Sequence, residues 1–221
     1  MISIYIGVCK TRDDEKFQES FRKFTSSICD KYSICQMVVR DKFLADAQNI
    51  IARDFLQTGY DYLLLLDDDH WGHTPEMLDC LIKANTYVST IHTYSRHYPY
   101  PSAVIKKTED NLYWPVEWSE GYCECDMTGF PMTLIHRDLF NLLEEPYFRA
   151  EAETDRVWTT DIDFFKRVRE SGIKPIACFQ HTLPHDKLTK ENVNYYRNKE
   201  RFEKLINPVL YKLYQLQGAS V

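Results

Sequence analysis

Residues 60–73 read YDYLLLLDDDHWGH: four leucines, Leu63 to Leu66, run without a spacer into three aspartates. An apolar run this short and this uniform suits a central parallel strand covered on both faces, not a half-exposed strand with alternating character. The acids then fall at the carboxyl end of the strand, where side chains alternate, so Asp67 and Asp69 are expected to face one site and Asp68 another. Neighbouring carboxylates repel, and a hard divalent cation relieves the repulsion. Mg2+ or Mn2+ takes one or two protein carboxylates and leaves substrate phosphate and water to complete its shell. The bland alternative is a solvated acidic turn.

The flanking sequence supplies the rest of a sheet. Residues 2–9 read as a first strand, and Phe17, Phe21 and Phe24 follow at helical spacing. A second strand is expected at 33–39, then a helix lined by Phe43, Leu44, Ala47, Ile50, Ile51 and Phe55, with Gly59 as its stop. After the aspartates, Thr74 and Pro75 predict the cap and first turn of a helix whose stripe is Met77, Leu78, Leu81 and Ile82, and a strand follows near 86–93. This alternation predicts an α/β fold, a mixed and mostly parallel open sheet flanked by helices, with ligands beyond the carboxyl ends of the strands.

The second half is less regular. The stretch from Thr93 to Asp126 is rich in aromatics, and FPMTLI leads into an expected helix around 137–144. A further helix is predicted in TTDIDFFKRVRESG, then a strand in KPIACFQ, followed by HTLPH. From Leu188 the pattern is helical and mixed in charge, with Pro208 dividing it, so the expected organisation is a domain over 1–186 and a C-terminal helical extension over 187–221.

Composition narrows the class. With 221 residues and 44% hydrophobic content, one substantial core is the expectation. Twenty-seven Lys and Arg against 33 Asp and Glu give a net charge of −6, which excludes a global positive field for nucleic acid. A local basic face stays open, since Lys190, Arg197, Lys199, Arg201, Lys204 and Lys212 are interleaved with Tyr195, Tyr196 and Phe202; a solvated amphipathic helix reads at least as well. Seven cysteines, an odd number scattered through apolar runs, suit a reduced cytoplasmic protein better than a disulfide scaffold. No stretch approaches the roughly 18 apolar residues of a membrane span, and neither secretion nor membrane spanning is expected.

Other candidate groups are weaker alone. His181 and His185 follow the last predicted strand and could return to its edge as nitrogen ligands. Asp161 and Asp163 open a helix, where acids are common for dipole reasons. Cys123 and Cys125 lack a second metal-ligand pair and read as strand residues. Trp71, Tyr94, Tyr98, Tyr100, Trp114, Trp118 and Trp158 offer stacking faces or simply pack core and lid.

In order, ADAQNIIARDFLQTGYDYLLLLDDDH, TGFPMTLIHRDLF and TTDIDFFKRVRESGIKP resemble the GT-A fold nucleotide-sugar glycosyltransferases, family-2-like and of bacterial or phage type, over most of residues 2–186. The resemblance implies Mg2+ or Mn2+ held by Asp67, Asp69 and His185, with His185 favoured over His181. It implies a nucleotide-sugar donor gripped by Thr11, Arg12, Asn49, Asp67 and Asp68, the last at the ribose. Asp161 matches the family's catalytic aspartate, with Thr160 in place of the more usual Glu, and Gly129, Trp158 and Arg96 fall on the acceptor side. His70 and His73 are bystanders in this reading. The implied acceptor is a glycan, a protein, a small molecule or a hydroxymethylated DNA base, in a bacterial or phage-infected cytoplasm. A metal-dependent nucleotidyl or phosphoryl transferase and a metal-dependent carbohydrate-binding protein are the alternatives; the first would carry a Gly-rich basic loop after its first strand, and the second would be largely β.

Overall fold

The computed structural model describes residues 1–11, 13–95, 102–109, 112–117, 119–153 and 156–185. The first half forms β1 (Ser3–Lys10), α1 (Glu15–Ile28), β2 (Ser33–Arg40), α2 (Leu44–Gln57), β3 (Tyr62–Asp67), α3 (Pro75–Lys83) and β4 (Val88–Thr93). The second half forms β5 (Ile105–Lys107), β6 (Tyr113–Pro115), β7 (Tyr122–Glu124), β8 (Met132–His136), β9 (Glu151–Glu153), β10 (Arg156–Trp158), α4 (Thr160–Glu170) and β11 (Ile176–Leu183).

Seven strands make one sheet in the order β2-β1-β3-β8-β4-β11-β7. The β1–β2, β1–β3 and β4–β11 pairs are parallel, whereas β8 runs antiparallel between β3 and β4 and β7 antiparallel beside β11. The expected mixed, mostly parallel open sheet is therefore the fold. The four leucines of β3 are at most 2% exposed, because the strand is covered on both sides. Leu63 and Leu65 join Ile51, Phe55, Phe164 and Phe165, while Leu64 and Leu66 join Phe24, Ile28, Leu78 and Leu81. Helices α2 and α4 thus cover one face and α1 and α3 the other, and an unbroken apolar run is what such a strand requires.

Local chemistry matches the element ends. Asp14 caps α1 by accepting from Phe17 N at 2.9 Å, and Thr74 caps α3 with Pro75 in its first turn. Helix α2 has no basic residue in its last turn. Arg137 supplies that charge from across the fold, donating to the carbonyls of Phe55, Leu56, Thr58 and Tyr60 at 2.6–3.1 Å.

Two expectations change, and a third is not tested. The helix predicted near 137–144 is a 3-10 turn over Arg137–Asn141, closed by Leu142 N donating to Leu139 O at 3.0 Å. The cysteines are not all free, since Cys80 and Cys178 form a disulfide between α3 and β11. Their sequence separation of 98 hides a proximity that only the packing of α3 on β11 creates. The C-terminal extension, with its basic and aromatic residues, lies outside the described residues. No helix among the described residues is long and apolar enough to cross a membrane.

Candidate active site

Strand β3 delivers its acids to the edge of a cavity of about 480 Å³ lined by Asp67, Asp69, His70, Gly129, Asp161 and His185, with Ser102, Met127 and Thr128 among its other walls. The alternation expected from the strand is visible in the side chains. Asp68 turns away from the cavity and is 5% exposed; Thr11 donates to its carboxylate from N at 2.6 Å and from Oγ1 at 3.0 Å. That pair ties the loop after β1 to the end of β3.

The loop after β3 is fixed from two directions. Ser20 on α1 accepts from Gly72 N at 2.8 Å and His73 N at 3.0 Å, and Gly72 adopts a φ of +83° that suits glycine. His73 packs between Phe17 and Phe24, and burial first, then the charge of His70, pushes its pKa down to about 3. On the other side His70 pairs with His185 in a short antiparallel bridge, ring centroids 4.5 Å apart.

This arrangement closes a trio. His185 Nε2 lies 3.0 Å from Asp69 Oδ2 and His70 Nδ1 lies 2.8 Å from Asp69 Oδ1. Each of the three offers a ligand atom within 4.8 Å of the others. Burial works against ionisation of Asp69, but the hydrogen bonds from His185 and His70 prevail and hold its carboxyl well below the usual range. Burial pushes Asp67 the other way, well above that range, with the charges of Asp69, Asp161 and Asp68 adding to it and a Phe130 N–H opposing. Two imidazoles and a carboxylate form a borderline donor set that fits a first-row divalent ion, and Nδ1 of His185 is buried without a hydrogen-bond partner among the described residues.

Asp161 faces the trio across the cavity from the first turn of α4. Its Oδ1 accepts from Thr159 Oγ1 and from Ile162 N, the latter at 3.0 Å. Its Oδ2 lies near Gly129, where a Cβ would stand 3.9 Å away in ordinary contact. Arg167, further along α4, holds the helix down: it pairs with Asp163 at 2.8 Å and donates to the backbone of Glu144 and Tyr147.

The structure therefore brings together Asp67, Asp69, Asp161, Gly129 and His185, and His181 stays on β11 away from the cavity. Asn49 is not brought there. Its Nδ2 donates to Ala45 O at 2.8 Å and Phe148 O at 2.7 Å, and its Oδ1 accepts from Phe148 N at 3.1 Å. All its amide groups are engaged in clasping α2 to the chain before β9, a structural role in place of the expected grip on nucleotide. Arg12 and Arg96 lie outside the described residues, as does the side chain of Trp158. The residue missed from sequence is His70; its place directly after the aspartates was the available signal.

The architecture is that of the GT-A-like fold. Among solved structures, A197 from STIV matches at 17% identity with a TM-score of 0.58, over 84% of this chain and 85% of that one. Glucosyl-3-phosphoglycerate synthase from Mycobacterium tuberculosis, in complex with Mn2+, UDP-glucose and phosphoglyceric acid, matches at 10% identity and TM-score 0.52, over 88% of this chain and 76% of that one. The same enzyme with Mn2+ and UDP gives 9% identity and 0.51, over 88% and 74%. At these identities the likeness is one of fold. No family model matches the sequence, and no curated protein does.

Proposed function

We propose that this chain is a divalent-metal-dependent glycosyltransferase that moves a sugar from a nucleotide-diphosphate sugar to a hydroxyl acceptor. The observation that carries the reading is the Asp69–His70–His185 trio opposite Asp161 across one cavity, at the carboxyl ends of parallel strands. The solved transferase with Mn2+ and UDP-glucose bound on a similar fold supports it.

Asp69, His70 and His185 would hold the metal, with Asp67 beside them; a cation there would offset the charge of the departing diphosphate. Two imidazoles in the set favour Mn2+ over Mg2+, which prefers oxygen ligands and sheds water reluctantly. Thr11, positioned by Asp68, and Arg12 remain the nucleotide candidates on the loop after β1. Gly129, Trp158 and Arg96 remain those for the acceptor. In an inverting reaction the acceptor oxygen bonds to the anomeric carbon, the bond from that carbon to the diphosphate breaks, and Asp161 takes the hydroxyl proton. The cavity gives that hydroxyl its approach.

Titrating UDP with and without Mn2+ tests the reading. Wild-type protein is expected to bind UDP only with the metal, and Asp69→Ala to abolish the binding; equally strong binding without metal would overturn it.

A further inference from the structure

Beside the reaction cavity lies a second cleft of about 420 Å³, and the sequence offered no hint of it. Its cations are Lys107 on β5 and Lys166 and Arg169 on α4; its acids are Asp126 and Glu170. Asp126 is committed to the fold, since Oδ1 accepts from Arg169 Nε at 2.8 Å and Oδ2 accepts from Lys107 N at 2.6 Å. With Arg169 and Asp126 neutralising each other, Lys107 and Lys166 stand against Glu170, and in a chain of net charge −6 this leaves the hollow with a small local positive excess. Tyr113 stands at its edge, 46% exposed, with Lys107 Nζ 5.8 Å from its ring centre.

The cleft and the cavity are continuous in construction. Met127 lines both. Ile105 lines the cavity and Lys107, two residues along the same strand and therefore on the same side, lines the cleft. Helix α4 repeats the pattern: Ile162 lines the cavity, and Lys166 and Arg169, four and seven residues on, lie on the same helical face. At 1.5 Å per residue Lys166 and Arg169 sit about 8 and 12 Å along the axis from Asp161. The wall between them is pinned by Ile105 N donating to Met127 O at 2.8 Å and Met127 N donating to Ile105 O at 3.1 Å.

Building on the glycosyltransferase reading, we infer that the acceptor is a small phosphorylated sugar: its phosphate sits among Lys107, Lys166 and Arg169, its ring lies along Tyr113, and its hydroxyl is directed toward Asp161. Lysine ammonium groups suit a phosphate as point charges, and an exposed tyrosine face suits a sugar ring.

Thermal-shift titrations at low ionic strength, where exposed charges are least screened, test this with glucose 6-phosphate, glucose and inorganic phosphate as probes. Glucose 6-phosphate is expected to stabilise the protein more than phosphate does, and glucose to leave it unchanged. The double variant Lys107→Glu/Lys166→Glu, altered only at exposed side chains, should weaken glucose 6-phosphate about tenfold or more while retaining Mn2+-dependent UDP binding. Overturning results are a response to glucose equal to that of its phosphate, a response to phosphate alone equal to that of glucose 6-phosphate, or full glucose 6-phosphate binding by the variant. Asp69→Ala separates the two readings: it should lose UDP and keep glucose 6-phosphate, and a wild-type protein that binds the sugar phosphate but never UDP would break the transferase reading alone.

Discussion

Asp69 and Asp161 face one cavity but are held in opposite ways. Asp69 is gripped by His70 and by His185, the latter 116 residues away in sequence, and it depends on two elements meeting. Asp161 is held by its immediate neighbours Thr159 and Ile162 in the first turn of a helix. The difference suits two tasks. A cation needs several donors converging from separate elements, and their convergence fixes it; a proton acceptor needs one oxygen left facing an open space, which a helix start at the cavity provides.

The largest test of this division falls on the Asp161 side. Asp161→Asn should leave Mn2+-dependent UDP binding intact and lower turnover in a product assay by about 10²- to 10⁴-fold. Unchanged turnover would remove Asp161 from catalysis. On the other side, His70→Ala should weaken Mn2+ binding about 10- to 100-fold, as measured by calorimetry in the presence of UDP. Wild-type affinity in that variant would return His70 to the status of a bystander and break the trio.

The smallest effect concerns the wall behind the acceptor side, where Ser102 N donates to both oxygens of Glu117 at 3.2 and 3.3 Å. Ser102 lines the cavity, and its Oγ lies 3.2 Å from His92 Nε2 on β4. Burial, opposed by the Ser102 N–H, pushes the Glu117 carboxyl from its ordinary 4.5 up to about 7. The fold therefore holds the proton more tightly than the unfolded chain. Stability from this group is complete below the ordinary value and falls as pH rises toward about 7. Glu117→Gln should leave stability at pH 4 unchanged and raise it at pH 8 by roughly 2 kcal/mol, allowing for partial exposure, as read from denaturant titrations.

Much of the first half was legible because its signals are local. The leucines of β3, the cap Thr74 with Pro75 and the helical stripes each declare an element within a few residues, and the parallel sheet follows from their alternation. Asp67 and Asp69 were legible as a candidate pair for the same reason, since they end a strand whose pattern is plain, whereas Asp161 stood out from Asp163 only through the family resemblance. Asn49 was a nucleotide candidate through the resemblance alone, and its partner is the backbone of Phe148, 99 residues on, a pairing that no local pattern shows. The pairing of Cys80 with Cys178 and the role of Arg137 at the end of α2 were hidden by the same distance along the chain.

From its order of residues alone, this protein determines a buried parallel strand that ends in acids, because apolar runs and caps act over one or two turns of chain. Tertiary structure decides which imidazoles meet Asp69, that β8 slips antiparallel between β3 and β4, and that a positive cleft opens beside Met127. These follow from how the faces of separate elements pack, and packing joins residues whose separation in sequence carries no periodic trace.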